Sequence, residues 1–213
     1  MKINLLSLAI SAALLFTLRG DYSQYTIGDK VENFTLRNVD RRMVSLSDYD
    51  EAAGIIIVFT CLHCPYAEMY EDRIIQLHRK YAPKGYPVLA INPTSPRLFP
   101  EDNFEKMRAR AQQKRYPFAY LQDSAQVVLA RFAATRTPHV FLLDKSRIVR
   151  YMGAIDDNAE NPRAVKQRYV ENAIDALMRG ERPRPDITRA IGCPIRRPKP
   201  VPPVDSATAS PRR

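Results

Sequence analysis

Apolar residues along this chain fall in short dense runs divided by charged stretches, and the runs set out the elements in order. Ile55 to Phe59 is an unbroken β-rich run of the kind a fully buried strand carries. It empties into a turn holding Cys61 and Cys64. Pro65 then opens a helical pattern that runs to about Tyr81, with Ile74 and Leu77 on its apolar side and Met69 and Tyr70 beside them. Ala82-Pro83-Lys84-Gly85 stops it. Val88 to Ile91 predicts a second buried strand, followed by a loop rich in Pro and Ser from Asn92 to Pro100. A charged helix over about Glu101–Lys114, a brief strand at Tyr120 and Leu121, and a helix over Gln126–Ala133 come next. Val140–Leu143 and Ile148–Tyr151 predict a strand pair across the Asp144–Arg147 turn, and a last helix spans about Pro162–Arg179. Upstream, the alternating segments Phe34–Leu36 and Met43–Leu46 flank a polar turn around Asp40 and read as a hairpin. Strands alternating with helices predict an α/β fold with a mixed central sheet.

The two ends differ in pattern from this middle. Lys2 precedes an apolar segment from Leu5 to Leu18, the length of a signal-peptide core and short for a membrane span. No clean A-x-A motif follows, and Gly20 marks the best cleavage point. The expectation is export to a bacterial periplasm, with an uncleaved anchor tethering the protein to the membrane as the alternative. Beyond Gly180 the chain turns rich in Pro and Arg, and after Pro198 it is expected to be disordered. The division is therefore a leader over 1–20, one domain over 21–182 and a tail over 183–213 that carries Cys193.

The net charge of +10 raises the question of nucleic acid. Lys and Arg are interleaved with Asp and Glu through the central helices, and no basic stripe alternates with aromatics, so a solvated basic surface is the reading. Three Cys are too few for a disulfide scaffold, and a C-x-x-C pair beside a β/α pattern points to redox chemistry. With Pro65 at the first helical position, Cys64 becomes the N-cap. Its sulfur then lies near the free N–H groups and positive end of the helix, where a thiolate is stabilised. Cys61 is close enough on the turn to bridge to it. Further on, Thr135-Arg136-Thr137-Pro138-His139 leads into a buried strand, and Thr137-Pro138 is expected to form a cis peptide facing the thiols. A trans proline marking the start of the strand is the plainer reading.

The N-terminal hairpin ending L-S-D-Y, the strand–turn F-T-C-L-H-C-P-Y, the segment T-R-T-P-H-V-F-L-L-D, and the later G-A-I-D-D-N and G-C-P-I together resemble the thioredoxin superfamily. The likeness is to its peroxiredoxin-like (AhpC/TSA-type redoxin) and thiol–disulfide oxidoreductase branch, over about Tyr25 to Arg196. The resemblance implies a thioredoxin-like fold with an N-terminal β-hairpin extension, and a thiol-dependent oxidoreductase that needs no cofactor and no metal. It places Cys64 at the family's nucleophile position and Ala67 where the usual resolving Cys would stand. The C-x-x-C is thus shifted upstream. Cys61 occupies the position of the peroxiredoxin Thr, and the peroxide-activating Pro ahead of the turn is absent.

Two cycles follow from this. In the favoured one, Cys64 attacks a substrate disulfide and Cys61 resolves it, the partner being a protein disulfide or dithiol. In the other, Cys64 attacks a small hydroperoxide and Cys61 or Cys193 condenses with the sulfenic acid. Cys193 is either this third redox thiol or a plain buried or free Cys. His63 either supports a thiolate or is an exposed turn residue. His139 either approaches the site or is turned away by strand alternation. Glu68 suits the dipole of the helix start, with a proton relay as its alternative role. A rival class is copper binding and delivery through Cys61, Cys64 and His139, since thiolates and imidazole suit copper.

Overall fold

The computed structural model describes residues 24–198. Both the leader and the stretch beyond Pro198 lie outside the described residues. Among the described residues, no helix is long and apolar enough to cross a membrane.

A seven-stranded mixed sheet organises the chain. In sequence order its elements are β1 (Thr35–Asn38), β2 (Met43–Ser45), β3 (Gly54–Phe59), α1 (Pro65–Tyr81), β4 (Val88–Asn92), α2 (Phe104–Lys114), β5 (Ala119–Gln122) and α3 (Val127–Phe132). There follow a two-residue strand β6 (Arg136–Thr137), β7 (His139–Asp144), β8 (Val149–Gly153), α4 (Tyr169–Met178) and, in the tail, β9 (Cys193–Pro194). The main sheet runs β2-β1-β5-β4-β3-β7-β8, and β6 pairs with β9 in a separate two-stranded ladder. The predicted hairpin is β1 and β2, joined to the sheet edge through antiparallel pairing of β1 with β5.

Strand β3 shows why the centre is as the apolar run implied. All six of its residues are buried, with parallel β4 on one side and antiparallel β7 on the other. Its side chains alternate between faces. Ile56 and Val58 pack under α1, α2 and α4 with Tyr70, Ile74, Leu77, Met107, Val170 and Ile174. Ile55, Ile57 and Phe59 join Leu129, Phe132 and Phe141 beneath α3. Burying a side chain of this kind contributes about 1.5–3 kcal/mol, so a core on both faces fixes the strand that delivers the Cys turn.

Two helices are shorter than their patterns predict. The charged helix begins only at Phe104, because Asn103 caps it by accepting the Lys106 N–H at 3.0 Å, and Pro100–Asp102 forms a separate 3-10 turn. The last helix begins at Tyr169. Pro162–Ala164 is an isolated 3-10 turn, and the Lys166 N–H is drawn off to the Asp157 carboxylate at 3.0 Å. The tail packs on the domain as far as Pro198. Thr188 donates its N–H to Met152 O at 3.0 Å, and its hydroxyl bonds Tyr151 Oη at 2.5 Å and accepts the Ala154 N–H at 2.9 Å. Gly153 leaves room for this contact, since a Cβ there would stand 2.1 Å from Thr188 Oγ1.

Candidate active site

The Cys turn connects a buried strand to a helix, and both flanks hold it. Cys64 is the N-cap of α1, with extended backbone, and Pro65 follows at the first helical position. The positive end of the helix dipole therefore lies at this residue, whose side chain is fully buried and makes no capping hydrogen bond. Facing the turn is the loop before β7, where the Thr137–Pro138 peptide is cis, as expected from the sequence. The Thr137 carbonyl oxygen lies 3.2 Å from Cys64 Sγ, and its hydroxyl lies 3.1 Å from Cys61 Sγ. One residue thus touches both sulfurs of the C-x-x-C.

The disulfide differs from the sequence expectation. Cys64 is bonded to Cys193, with a Cα–Cα distance of 5.8 Å, while Cys61 is a free, buried thiol. Strand pairing brings Cys193 there. In the β6–β9 ladder Thr137 stands opposite Cys193 and Arg136 opposite Pro194. The Ile195 N–H donates to Thr135 O at 3.0 Å, Arg136 Nη1 to Gly192 O at 2.6 Å and Gln126 Nε2 to Arg196 O at 2.9 Å. Gly192 has a φ of +154°, and a Cβ on it would meet Thr137 O at 2.1 Å, so only glycine lets the tail lie this close.

Cys61 has the opposite electrostatics. Burial pushes its thiol up to about 12; the Thr137 hydroxyl pulls it back, the Asp102 charge adds to the rise, and the backbone N–H groups of Cys64 and His63 oppose it. Its neighbours include a pair the sequence reading missed. His63 Nδ1 is 2.5 Å from Asp102 Oδ2, and the other carboxylate oxygen accepts from the Leu62 N–H and Asn92 Nδ2, each at 2.7 Å. The His63 ring stacks on Phe99 at 3.9 Å. Asp102 lies in the P-E-D-N stretch that reads as the start of a helix, so its only sequence signal was an acidic residue in a predicted first turn.

The remaining candidates fall away from the sulfurs. His139 is buried in β7, where its Nδ1 accepts the Thr135 N–H at 3.4 Å and its ring packs on Phe141 at 4.7 Å; burial lowers it to about 4. Glu68 is exposed and pairs with Arg110 at 3.2 Å. The copper set of the rival reading, Cys61, Cys64 and His139, is not assembled, since Cys64 is held in a disulfide and His139 bonds its own loop. Among the described residues, the group with metal-ligand spacing is instead Cys61, His63 and Asp102, whose donor atoms all lie within 4.8 Å of one another.

Known proteins agree with this geometry. Residues 27–152 match the AhpC/TSA family. No protein of curated function matches. Among solved structures, an uncharacterized conserved protein from Geobacillus kaustophilus is 32% identical, covering 84% of this chain and 95% of its own, with a TM-score of 0.78. A hypothetical protein from Sinorhizobium meliloti is 28% identical, with coverages of 81% and 95% and a TM-score of 0.75. Peroxidoxin BcpB from Mycobacterium tuberculosis shares the fold at 19% identity, with coverages of 61% and 85% and a TM-score of 0.52. The matched span holds the sheet, the Cys turn and the cis-Pro loop together, so the chain belongs to the AhpC/TSA family and is a thiol-dependent oxidoreductase.

Proposed function

We propose that the protein is a thiol peroxidase that cycles Cys64 and Cys193 between dithiol and disulfide. Cys64, as thiolate, attacks the terminal oxygen of a small hydroperoxide; the O–O bond breaks, leaving an alcohol or water and a Cys64 sulfenic acid. The Cys193 thiol then attacks the Cys64 sulfur, water leaves, and the disulfide forms. An external dithiol restores the pair. Cys193 is the less buried sulfur, and Cys64 at the helix start is the better leaving group, so the reductant attacks Cys193.

One observation carries this reading. The tail docks by strand pairing with Cys193 opposite Thr137, and its sulfur is joined to the helix-capping Cys64. Resolution by Cys61, the favoured sequence reading, is opposed by the pairing, since Cys64 is joined to Cys193 while Cys61 is left as a free, buried thiol. The test is to oxidise reduced protein with one equivalent of hydrogen peroxide, quench in acid and map the first linkage. Wild type should give Cys64–Cys193, and Cys193→Ser should accumulate a Cys64 sulfenic acid that dimedone labels. Peroxide consumption that survives Cys64→Ser, or a first linkage of Cys61 to Cys64, overturns the reading.

Export to the periplasm belongs to the same proposal. It is supported by the apolar Leu5–Leu18 segment, and a bonded pair suits an oxidising compartment. N-terminal sequencing of protein from a periplasmic extract tests it; a start at Met1 in the cytosolic fraction overturns it.

A further inference from the structure

Cys61 takes no part in the proposed cycle, yet its surroundings are built as a reactive centre is built. Three groups of different chemistry converge there: a thiol, an imidazole and a carboxylate, with their donor atoms within 4.8 Å of one another. The carboxylate is fixed. Asp102 is fully buried, and the Leu62 N–H and Asn92 Nδ2 occupy one of its oxygens, leaving the other for His63 Nδ1. The imidazole is fixed in turn by that bond and by the parallel Phe99 ring, at an interplanar angle of 8°. A thiol with an imidazole within 4.8 Å, the imidazole held in turn by a carboxylate, has the order of parts that activates a weak nucleophile. The charged and titratable groups around His63 are Asp102 from the loop before α2, Cys61 from its own turn, and the Arg196 guanidinium 5.9 Å from the centre of the Phe99 ring.

The target of such a nucleophile is adjacent. Thr137 contacts Cys61 Sγ through its hydroxyl and Cys64 Sγ through its carbonyl, and Cys61, Cys64 and Ala67 form one buried cluster with Cys193 packed against it. The backbone N–H of Cys64 also points to the Cys61 sulfur.

We propose that Cys61, His63 and Asp102 form a disulfide relay, in which Cys61 attacks Cys64 within the Cys64–Cys193 bond, passes the disulfide to Cys61–Cys64 and releases Cys193. The relay rests on the reading that Cys64–Cys193 is the working disulfide. His63 accepts the Cys61 proton as the new S–S bond forms. The Cys64–Cys193 bond breaks with its electron pair on Cys193, which takes up a proton. One disulfide and one thiol stand on each side, so neither oxidant nor reductant is consumed. Asp102 acts as a positioning residue, holding one imidazole nitrogen so that the ring is aimed and can carry the proton. The relay releases the Cys193 thiol without an outside thiol and turns the two expected pairings into successive states of one oxidised protein.

The experiment starts from full-length protein whose Cys64–Cys193 bond has been confirmed by peptide mapping. It is held in excess N-ethylmaleimide with no reductant, and the alkylated sites are followed by mass spectrometry over time and pH. Wild type should accumulate maleimide on Cys193 together with a Cys61–Cys64 linkage. Cys61→Ser should show none. His63→Gln should slow the release about tenfold or more at neutral pH, and its rate should then climb with pH, because Cys61 must ionise without a base beside it. Asp102→Asn should do the same; because it alters a buried carboxylate, His63→Gln carries the test if that variant does not fold. Release of Cys193 at the wild-type rate in Cys61→Ser, or none in wild type over a day, overturns the relay. So does stoichiometric zinc bound by the reduced protein and lost in His63→Gln, which would make the trio a metal site. Failure to find Cys64–Cys193 in the starting material defeats the proposed cycle itself, a separate outcome.

Discussion

Two sulfurs compete for Cys64, one from its own turn and one from the far end of the chain. Cys61 is three residues away, and no long loop need close to bring it there. Cys193 is separated by 129 residues, yet it is the one bonded. The difference lies in what surrounds each. Cys61 is buried, and its burial together with the Asp102 charge raises its thiol above the ordinary value. Cys193 arrives on a strand whose backbone pairs with β6, whose glycine clears the Thr137 carbonyl, and whose flanks are bonded by Arg136 and Gln126. Closing a long loop costs only slowly more with length, so a handful of ladder and side-chain bonds can offset it. Nearness in sequence is a poor guide to which sulfurs are bonded.

The comparison can be broken most severely at the shared sulfur. Cys64→Ser should lower peroxide turnover by about 10³-fold or more, measured as the rate of peroxide loss with a dithiol reductant, because neither rival then has a target. Removing the distant rival comes next. Cys193→Ser opens a cross-link spanning 129 residues, and in the chain-entropy account this costs up to about 5 kcal/mol, a fall of roughly 10–20 °C in Tm under non-reducing conditions. With reductant present, wild type and variant should melt together.

Acid acts on the support that both rivals share. His139 is the first residue of β7, next to the cis-Pro, and burial holds it neutral with a folded value of about 4 against an unfolded value near 6.5. The unfolded chain binds the proton first. The stability contributed by neutral His139 is therefore complete above about pH 6.5 and lost as pH falls through about 4, on the order of 3 kcal/mol in all. Denaturant titrations at pH 7 and pH 4 should show this loss in wild type and much less of it in His139→Gln. The smallest effect sharpens the contest itself. Gly192→Ala forces a Cβ against the Thr137 carbonyl and should slow Cys64–Cys193 formation about tenfold, about 1.4 kcal/mol, in a quenched-flow thiol assay, with α1 and the Cys turn undisturbed.

Much of this was legible because it rests on local pattern. The buried run ahead of the Cys turn, Pro65 at the helix start and Thr137-Pro138 ahead of β7 each encode their own geometry, and together they fix the fold and the position of Cys64. The parts that were not legible depend on contacts between segments distant in sequence. Asp102 reaches His63 only because β4 and the loop after it bring the P-E-D-N stretch back over the turn, and nothing at spacing along the chain marks that approach. The Cys193 pairing depends on a two-residue strand too short to leave a period. The final helix was overlong in prediction because Asp157 takes a backbone N–H that a helix would have used.

The Thr188 fastening has a bearing on kinetics. Its bonds to Met152, Tyr151 and Ala154 do not involve sulfur, so they survive when the disulfide opens. Four residues lie between it and Cys193, and these five steps of chain limit the free thiol to a leash of roughly 17 Å. Within that radius its local concentration is millimolar or higher, on the scale reached by short flexible linkers. Recapture by Cys64 is thus a first-order event, set by the tether and indifferent to how dilute the protein is.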